Sequence, residues 1–492
     1  MPQSLSLSKA ARLIGLSRAT LQRKIKNGEL DSFDGMVQPE DLLRAFPDFE
    51  IEADPEYERV KVIKEQAFGK RVFERALPDK EVLAARLNSL GRELSDAQAK
   101  LQHYRTLIEN LGRKLSALAA TGGERLASDI SALQSWLSGE LEGQAEGFPH
   151  AILVKESLMR IMSPQVRLVP SGHEFFVEGS DTILEAALHA GIALDYACSN
   201  GNCGECKARI VSGQVKKIHP HDFHISEAEQ GRGYVLLCSN TAVTDLVIEA
   251  SVAGSVAEIP LQHITAKVKG VDALGDDIRL LKVQTPRSSR LRFFAGQSVT
   301  LSFGRGVEGA FPVASCPCDD RNLQFHVRRQ AGNRFAEYVF DQLRGGEEVA
   351  LEGPLGDFVL REESPRIPLF LAFDSGFAPI KSLIEHAMAV DNAESLHLYW
   401  LASRPEELYM TNICRAWADA LDNFTFTALV ADRDGIAGQM RQVVLAFPDL
   451  AKFDVYVAGP NAQTAEAKSI LLQQGLPPEQ LFLSESANFF IY

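Results

Sequence analysis

Nowhere in its 492 residues does the chain carry an apolar run near the 18 or more residues that a membrane-spanning helix needs. The opening residues, MPQSLSLSKAARLIG, lack the basic start and apolar stretch of a secretory signal, so a cytoplasmic location is expected. Positive charge is also in short supply. A formal net charge of −14 excludes nucleic-acid binding over the whole surface, although a single module can still bind it. Cysteine is scarce, with seven in all, and four of them fall in one tight pattern. An odd, clustered set points to metal binding rather than to a disulfide framework. No Ser-His-Asp set, paired carboxylates or HExxH stands out to suggest a hydrolase.

What is present is a chain too long for one core, in which three or four domains are expected. Residues 1–50 read as a helix-turn-helix. Ser8 can cap a helix KAARLI that stops at Gly15, and Ser17 can cap RATLQRKIKN, ending at Gly28. The run AARLIGLSRATLQRKIKNGEL resembles the winged-helix domains of the MerR and excisionase group. Arg18, Arg23, Lys24 and Lys26 would face a phosphate backbone. The first 50 residues hold seven basic and seven acidic side chains, so a protein-docking role through residues 5–45 is equally open.

Residues 51–150 read as a linker followed by coiled-coil helices. Leu83, Leu87, Leu90, Leu94, Ala97, Leu101, Tyr104, Ile108, Leu111, Leu115 and Leu118 recur at alternating steps of four and three, a heptad seam that ends at Thr121-Gly122-Gly123. A second amphipathic helix with Leu126, Ile130, Leu133, Leu137 and Leu141 follows, and the chain could fold back on itself. A homodimer through residues 83–118 is the preferred reading, because the shorter helix cannot cover the whole seam.

Beyond residue 164 the pattern changes to short strands between Gly, Pro and Asp. The expected fold is multidomain, α+β and α/β. Two β-rich units are expected, at 164–257 and 258–362. In 366–492 apolar strands alternate with helices, which predicts a parallel α/β domain of nucleotide-binding type.

Cys198, Cys203 and Cys206 in CSNGNCGEC, with Cys238 after 31 intervening residues, have the C-x4-C-x2-C…C spacing of a plant-type [2Fe–2S] centre. Two irons and two sulfides need four converging thiolates, and Gly201 and Gly204 let the backbone wrap them. Cys316, Cys318 and Cys414 show no such arrangement and read as ordinary cysteines. His219, His221 and His224 read as an exposed loop.

The runs EGPLGDFVL (352–360), SGFAPIKSLIEHA (375–387), LYWLASRPEELYM (398–410) and VYVAGPNAQTAEAKSILLQQGLPPEQLFLSES (455–486) resemble the reductase components of bacterial oxygenases. They also resemble the related CDP-6-deoxy-glucoseen reductases. The resemblance covers about two thirds of the chain and implies that 164–257 is a β-grasp ferredoxin domain and 258–362 a β-barrel of flavin-binding type. It implies an NAD(P)H-dependent oxidoreductase in which a hydride from NADH or NADPH reaches FAD, and electrons then pass singly through the [2Fe–2S] cluster to an oxygenase or other acceptor. It also implies cofactor contacts from Phe311, Val313, Arg328, Gly332, Asn333, Arg334, Gly376, Pro379, Gly459 and Pro460.

Several positions differ from the family's pattern. Its Arg-x-Tyr-Ser is Gly309-Ala310-Phe311-Pro312 here, its Ser or Thr in the next motif is Ala336, its Gly-Gly-Thr-Gly loop is Phe373-Asp374-Ser375-Gly376, and its Cys-Gly-Pro is Ala458-Gly459-Pro460. Arg305, Arg328, Arg329 or Arg334 would have to supply the missing phosphate charge. Tyr492, at the end of the chain, could cover a flavin. Two alternatives therefore stay open: a redox-responsive DNA-binding regulator, and an adaptor whose reductase sites are degenerate.

Overall fold

The computed structural model describes residues 78–121 and 162–485 apart from positions 305, 331, 391, 392 and 432, together with parts of 5–46 and 128–136. The expected caps Ser8 and Ser17, the stops at Gly15 and Gly28, the linker 51–77, most of the second amphipathic helix, and Tyr492 lie outside the described residues.

In the N-terminal part, α1 (Arg18–Lys26) falls on the expected second helix, and α2 (Pro39–Ala45) follows Gln38. A short antiparallel pair, β1 (Leu5–Ser6) with β2 (Met36–Val37), closes over Leu21, Leu30 and Leu42. The heptad stretch is one uninterrupted helix, α3 (Lys80–Thr121), of 42 residues. Its first turns dock through Val82, Arg86 and Ser89, which are buried. Leu87, Leu94, Leu101, Leu111 and Leu118, on the seam, are exposed.

The next unit is a mixed sheet in the order β4-β3-β9-β5-β7. It contains β3 (Gln165–Val169), β4 (Glu174–Phe176), β5 (Lys207–Ser212), β7 (Tyr234–Leu236) and β9 (Leu246–Glu249). A side ribbon pairs β6 (Val215–Lys217) with β8 (Asn240–Ala242). Helix α4 (Ile183–His189) packs Ile183, Leu184 and Ala187 on this sheet. Its start is fixed by a capping box in which Thr182 Oγ1 accepts from Glu185 N at 3.1 Å. A short α5 (Glu227–Gly231) precedes β7.

Six antiparallel strands then form a nearly closed barrel in the order β13-β12-β15-β10-β11-β14. These are β10 (Gln262–Ala273), β11 (Ile278–Gln284), β12 (Ser298–Ser302), β13 (Glu308–Pro312), β14 (Asn322–Arg328) and β15 (Glu348–Leu355). Their alternating burial fills the interior with Ile264, Val283, Leu301, Phe325 and Leu351, and α6 (Arg334–Asp341) plugs one end with Phe335 and Val339.

The last unit is a parallel sheet, β18-β17-β16-β19-β20, as its alternating pattern predicts. Its strands are β16 (Ile367–Phe373), β17 (Leu396–Ala402), β18 (Phe424–Val430), β19 (Phe453–Gly459) and β20 (Leu481–Glu485). The helices are α7 (Phe377–Val390), α8 (Thr411–Ala420), α9 (Gly435–Ala446) and α10 (Asn461–Gln473). Two hydrophobic clusters, one around Trp400 and Trp417 and one around Leu371 and Val457, show that both faces of the sheet are covered. The chain runs outward from β16 to β18, then crosses back to β19. The topological switch point therefore lies between the carboxyl ends of β16 and β19.

Candidate functional site: an iron–sulfur loop joined to a flavin-type barrel

The loop between Asp195 and Cys206 contains three of the four cysteines, and Cys238 comes from the end of β7. Cys198, Cys206 and Cys238 are buried and Cys203 is partly exposed. The sulfurs lie as two hydrogen-bonded pairs, Cys198 with Cys203 and Cys206 with Cys238. Backbone N–H groups of Asn200, Asn202 and Cys203 also donate to the Cys198 sulfur, the last at 3.5 Å. Hydrogen bonding from the Cys206 thiol outweighs burial and lowers the Cys238 thiol.

Among the described residues no three His, Cys, Asp or Glu side chains converge on one ion position. A two-iron centre with four thiolates takes two sulfurs per iron, which is the arrangement these pairs offer. The residues therefore fit the group, and thiolates held by N–H donors supply the one-electron chemistry of such a centre.

The two loop glycines show why the backbone needs them. Gly201 has φ +78° and Gly204 has φ +82°. A Cβ on Gly201 would fall 2.5 Å from His221 Cβ, and one on Gly204 would fall 2.2 Å from Phe223 Cε2. Residues 221–223 thus lie over the loop, tied to it by Phe223 N donating to Gly201 O at 3.1 Å. The sequence predicts an exposed histidine loop here. His219 and His224 are exposed, but His221 is half-buried and donates from or accepts at Nδ1 against Phe223 O, 2.9 Å away. The signal that could have found the lid was the pair of glycines, each needing a close neighbour.

The loop is also fastened to the barrel. Ser199 N donates to Arg287 O, and Arg290 N to Ala197 O, both at 2.9 Å. Arg290 forms a two-pronged ion pair with the buried Asp320, to which Tyr196 also bonds. Burial raises the Asp320 carboxyl, and Arg290 pulls it back down. Cys316 and Cys318, expected to be separate ordinary cysteines, are instead paired as a disulfide across Pro317, because a 3₁₀ turn there brings their Cα atoms to 5.1 Å. Cys414 is free and buried.

On the barrel, Phe311 does not present a free ring face. Its ring is packed into the core 4.7 Å from Phe335, and it lies so close over Gly309 that a Cβ there would be 2.7 Å away. An arginine at 309 would collide with it. Val313 is fully buried, its N–H bonded to Gln297 O. Arg328 is paired with Glu407 and Asp277, and Arg329 with Asp341, while Arg305 lies outside the described residues. Arg334 is exposed in the first turn of α6 near Gly306, and among the described residues it makes no ion pair. Asn333 caps that helix by accepting from Ala336 N at 2.9 Å, and Gly332 stands beside it with φ +80°. Arg334 thus brings a positive charge to the start of that helix, where the helix dipole adds to it.

At the switch point the structure brings Gly376 against Ala458-Gly459, such that a Cβ on Gly376 would fall 2.1 Å from Ala458 O. Pro379 is buried in α7, and Pro460 precedes α10. Asp374 is buried, with φ +48°. It accepts from Ser403 N at 2.7 Å, Ser403 Oγ at 2.8 Å and Gln463 Nε2 at 2.8 Å. A carboxylate seated there does not fit an anionic dinucleotide as the crevice stands.

An iron–sulfur unit wired by backbone hydrogen bonds to a flavin-type barrel, with a parallel α/β unit behind it, defines an electron-transferring oxidoreductase of the ferredoxin-reductase class. Residues 166–243 match the 2Fe-2S iron-sulfur cluster binding domain, and residues 265–360 match the oxidoreductase FAD-binding domain. The chain is 30% identical over 326 residues to the CDP-6-deoxy-L-threo-D-glycero-4-hexulose-3-dehydrase reductase of Yersinia pestis, covering 65% of this chain and 98% of that one. It is 27% identical over 332 residues to the reductase component of propane 2-monooxygenase from Rhodococcus jostii, covering 65% and 90%. A solved ferredoxin reductase of carbazole 1,9a-dioxygenase is 23% identical with a TM-score of 0.42, covering 67% and 98%.

The chain belongs to the family of ferredoxin-type reductase components. Its function is the transfer of electrons from NAD(P)H through FAD to a [2Fe–2S] cluster and on to an acceptor. No helix among the described residues is long and apolar enough to cross a membrane.

Proposed function

We propose that the acceptor is the oxygenase component, or another redox enzyme, of a multicomponent system, and that electrons leave this chain through Cys198, Cys203, Cys206 and Cys238. The observation that supports this is the pair of backbone hydrogen bonds that join the cysteine loop to residues 287–290 of the barrel. Arg334, Gly332 and Asn333 are the residues proposed to meet the flavin phosphates, and Gly376, Pro379, Gly459 and Pro460 to line the nucleotide crevice. Working boundaries fall near residues 164, 258 and 366.

The test is the absorption spectrum of anaerobically purified protein before and after NADH and NADPH. Iron–sulfur and flavin bands that both bleach on reduction support the reading. A protein with an intact cluster that takes up no flavin on reconstitution overturns it.

The helical third adds a second reading, that the chain is a homodimer through α3. The exposed leucines of the seam favour it: Leu94 is 58% and Leu101 is 63% exposed, while a different stripe of the same helix, Val82, Arg86 and Ser89, is spent on the ferredoxin unit. Replacing Leu94 and Leu101 by Glu should convert a dimer in sedimentation equilibrium to a monomer; a wild-type monomer sinks the idea. Residues 5–45 would then be presented as a pair, to DNA or to a docking protein. A gel shift on DNA from upstream of the gene, in oxidised and reduced protein, separates the two.

A further inference from the structure

We infer that Asp374 is a built-in latch on the nucleotide crevice, a residue that sets how tightly this reductase holds the phosphates of a pyridine dinucleotide. The inference rests on the reading of 366–485 as the nucleotide-binding unit and says what is particular about that unit here.

In an open parallel sheet a ligand binds outside the carboxyl ends of the strands, where the strand order reverses. In this chain that place is bounded by residues 373–376 after β16, Ser403 after β17, and 458–463 after β19. Asp374 occupies it. Its carboxylate takes the backbone N–H and the hydroxyl of Ser403 and the amide of Gln463, so donors from two other strand ends are already spent on an anion that belongs to the protein. Trp400 Nε1 fixes the same residue from below by donating to Asp374 O at 3.0 Å. The stacked Phe377 ring, 4.0 Å away, holds Trp400 in turn.

Two further features show that the arrangement is closed. Asp374 is the one non-glycine residue with positive φ among the described residues, a conformation that costs an L-residue unless its surroundings impose it. Gln463 Oε1, beside the carboxylate, is buried without a hydrogen-bond partner, so the crevice retains an unspent polar atom next to a spent one. A dinucleotide phosphate arriving here meets a like charge and finds its donors taken. Binding therefore requires the Asp374 side chain to leave Ser403 and Gln463.

The experiment is calorimetric titration of the full chain with ADP-ribose, a probe that has the pyrophosphate but cannot donate a hydride. Wild type is compared with Asp374→Asn, Asp374→Gly and Ser403→Ala. Asn and Gly both tolerate the positive φ, so neither forces the loop to refold. Affinity should rise at least tenfold in Asp374→Gly and Asp374→Asn, and less in Ser403→Ala, which loosens the latch but keeps the charge. Iron–sulfur absorbance reports that each variant is folded. Equal binding by wild type and both Asp374 variants overturns the latch and leaves the nucleotide-binding unit standing. Failure of all four proteins to bind overturns the latch and the nucleotide-binding unit together.

Discussion

The ring of Phe223 lies against Gly204 so closely that the smallest side chain at 204 would strike its edge. Lid and loop are therefore fitted to each other, and the left-handed turn at Gly204 adds a cost for any L-residue. Gly204→Ala should lose most of its iron–sulfur absorbance. The double variant with Phe223→Ala should regain part of it, because the collision is removed and only roughly 1–2 kcal/mol of backbone strain is left. Gly172 has a similar φ of +77° with nothing within 4 Å, so Gly172→Ala should keep its cluster.

Arg290 and Asp320 join the cluster loop to the barrel from a nearly water-free position, 12% and 2% exposed. Arg290→Met strands a buried carboxylate and should cost about 3–5 kcal/mol in urea unfolding. Arg290→Met combined with Asp320→Leu should recover much of that loss, since neither charge is then left alone. An additive double variant would show that the pair contributes no coupling.

His326 contacts the Tyr409 hydroxyl at 3.0 Å and is held down to about 3, first by burial and then by the nearby Lys381 ammonium. Lys381 is itself paired with Glu385. In the unfolded chain the same imidazole takes a proton near 6.5. Between those values the unfolded state binds more protons, so stability should fall as pH drops from about 6.5 toward 3. Chemical denaturation of wild type and His326→Phe at pH 7 and pH 5 checks this. The variant should lose less on acidification.

Arg334, in the first turn of α6, makes no ion pair among the described residues. Arg334→Glu should lower FAD content after reconstitution several-fold at unchanged iron. Arg329→Glu, at a residue already tied to Asp341, should leave FAD content nearly unaltered. Flavin-to-iron ratios from the denatured protein decide between them.

The readable parts of the sequence were those in which one local rule suffices. Four cysteines at fixed spacing defined the cluster loop, short apolar runs such as QVRLV and LHLYWLA defined strands, and a seam of leucines defined α3. What could not be read depends on partners distant in the chain. His221 and Phe223 act as a lid only because β6 and β8 turn that segment back over Gly201 and Gly204. Phe311, in the family's aromatic position, turns its ring inward because residue 309 has no side chain to stop it. Asp374 is visible in the sequence as a departure from the family's glycine-rich loop, but the partners that satisfy its carboxylate, Ser403 and Gln463, lie 29 and 89 positions away.

Arg86 and Met162 are 76 positions apart, yet the guanidinium donates to the Met162 carbonyl at 2.8 Å and to Ala242 O at 3.1 Å. The chain leaves Arg86 along a rod whose far end, at 1.5 Å per residue, is about 53 Å away. In engineering terms the excursion is a cantilever clamped at a single root. Torque applied at its tip is resisted at that root by Val82, Ser89 and the buried Arg86, the last seated on the strand that follows Cys238, so a load far out on the arm arrives beside the fourth sulfur.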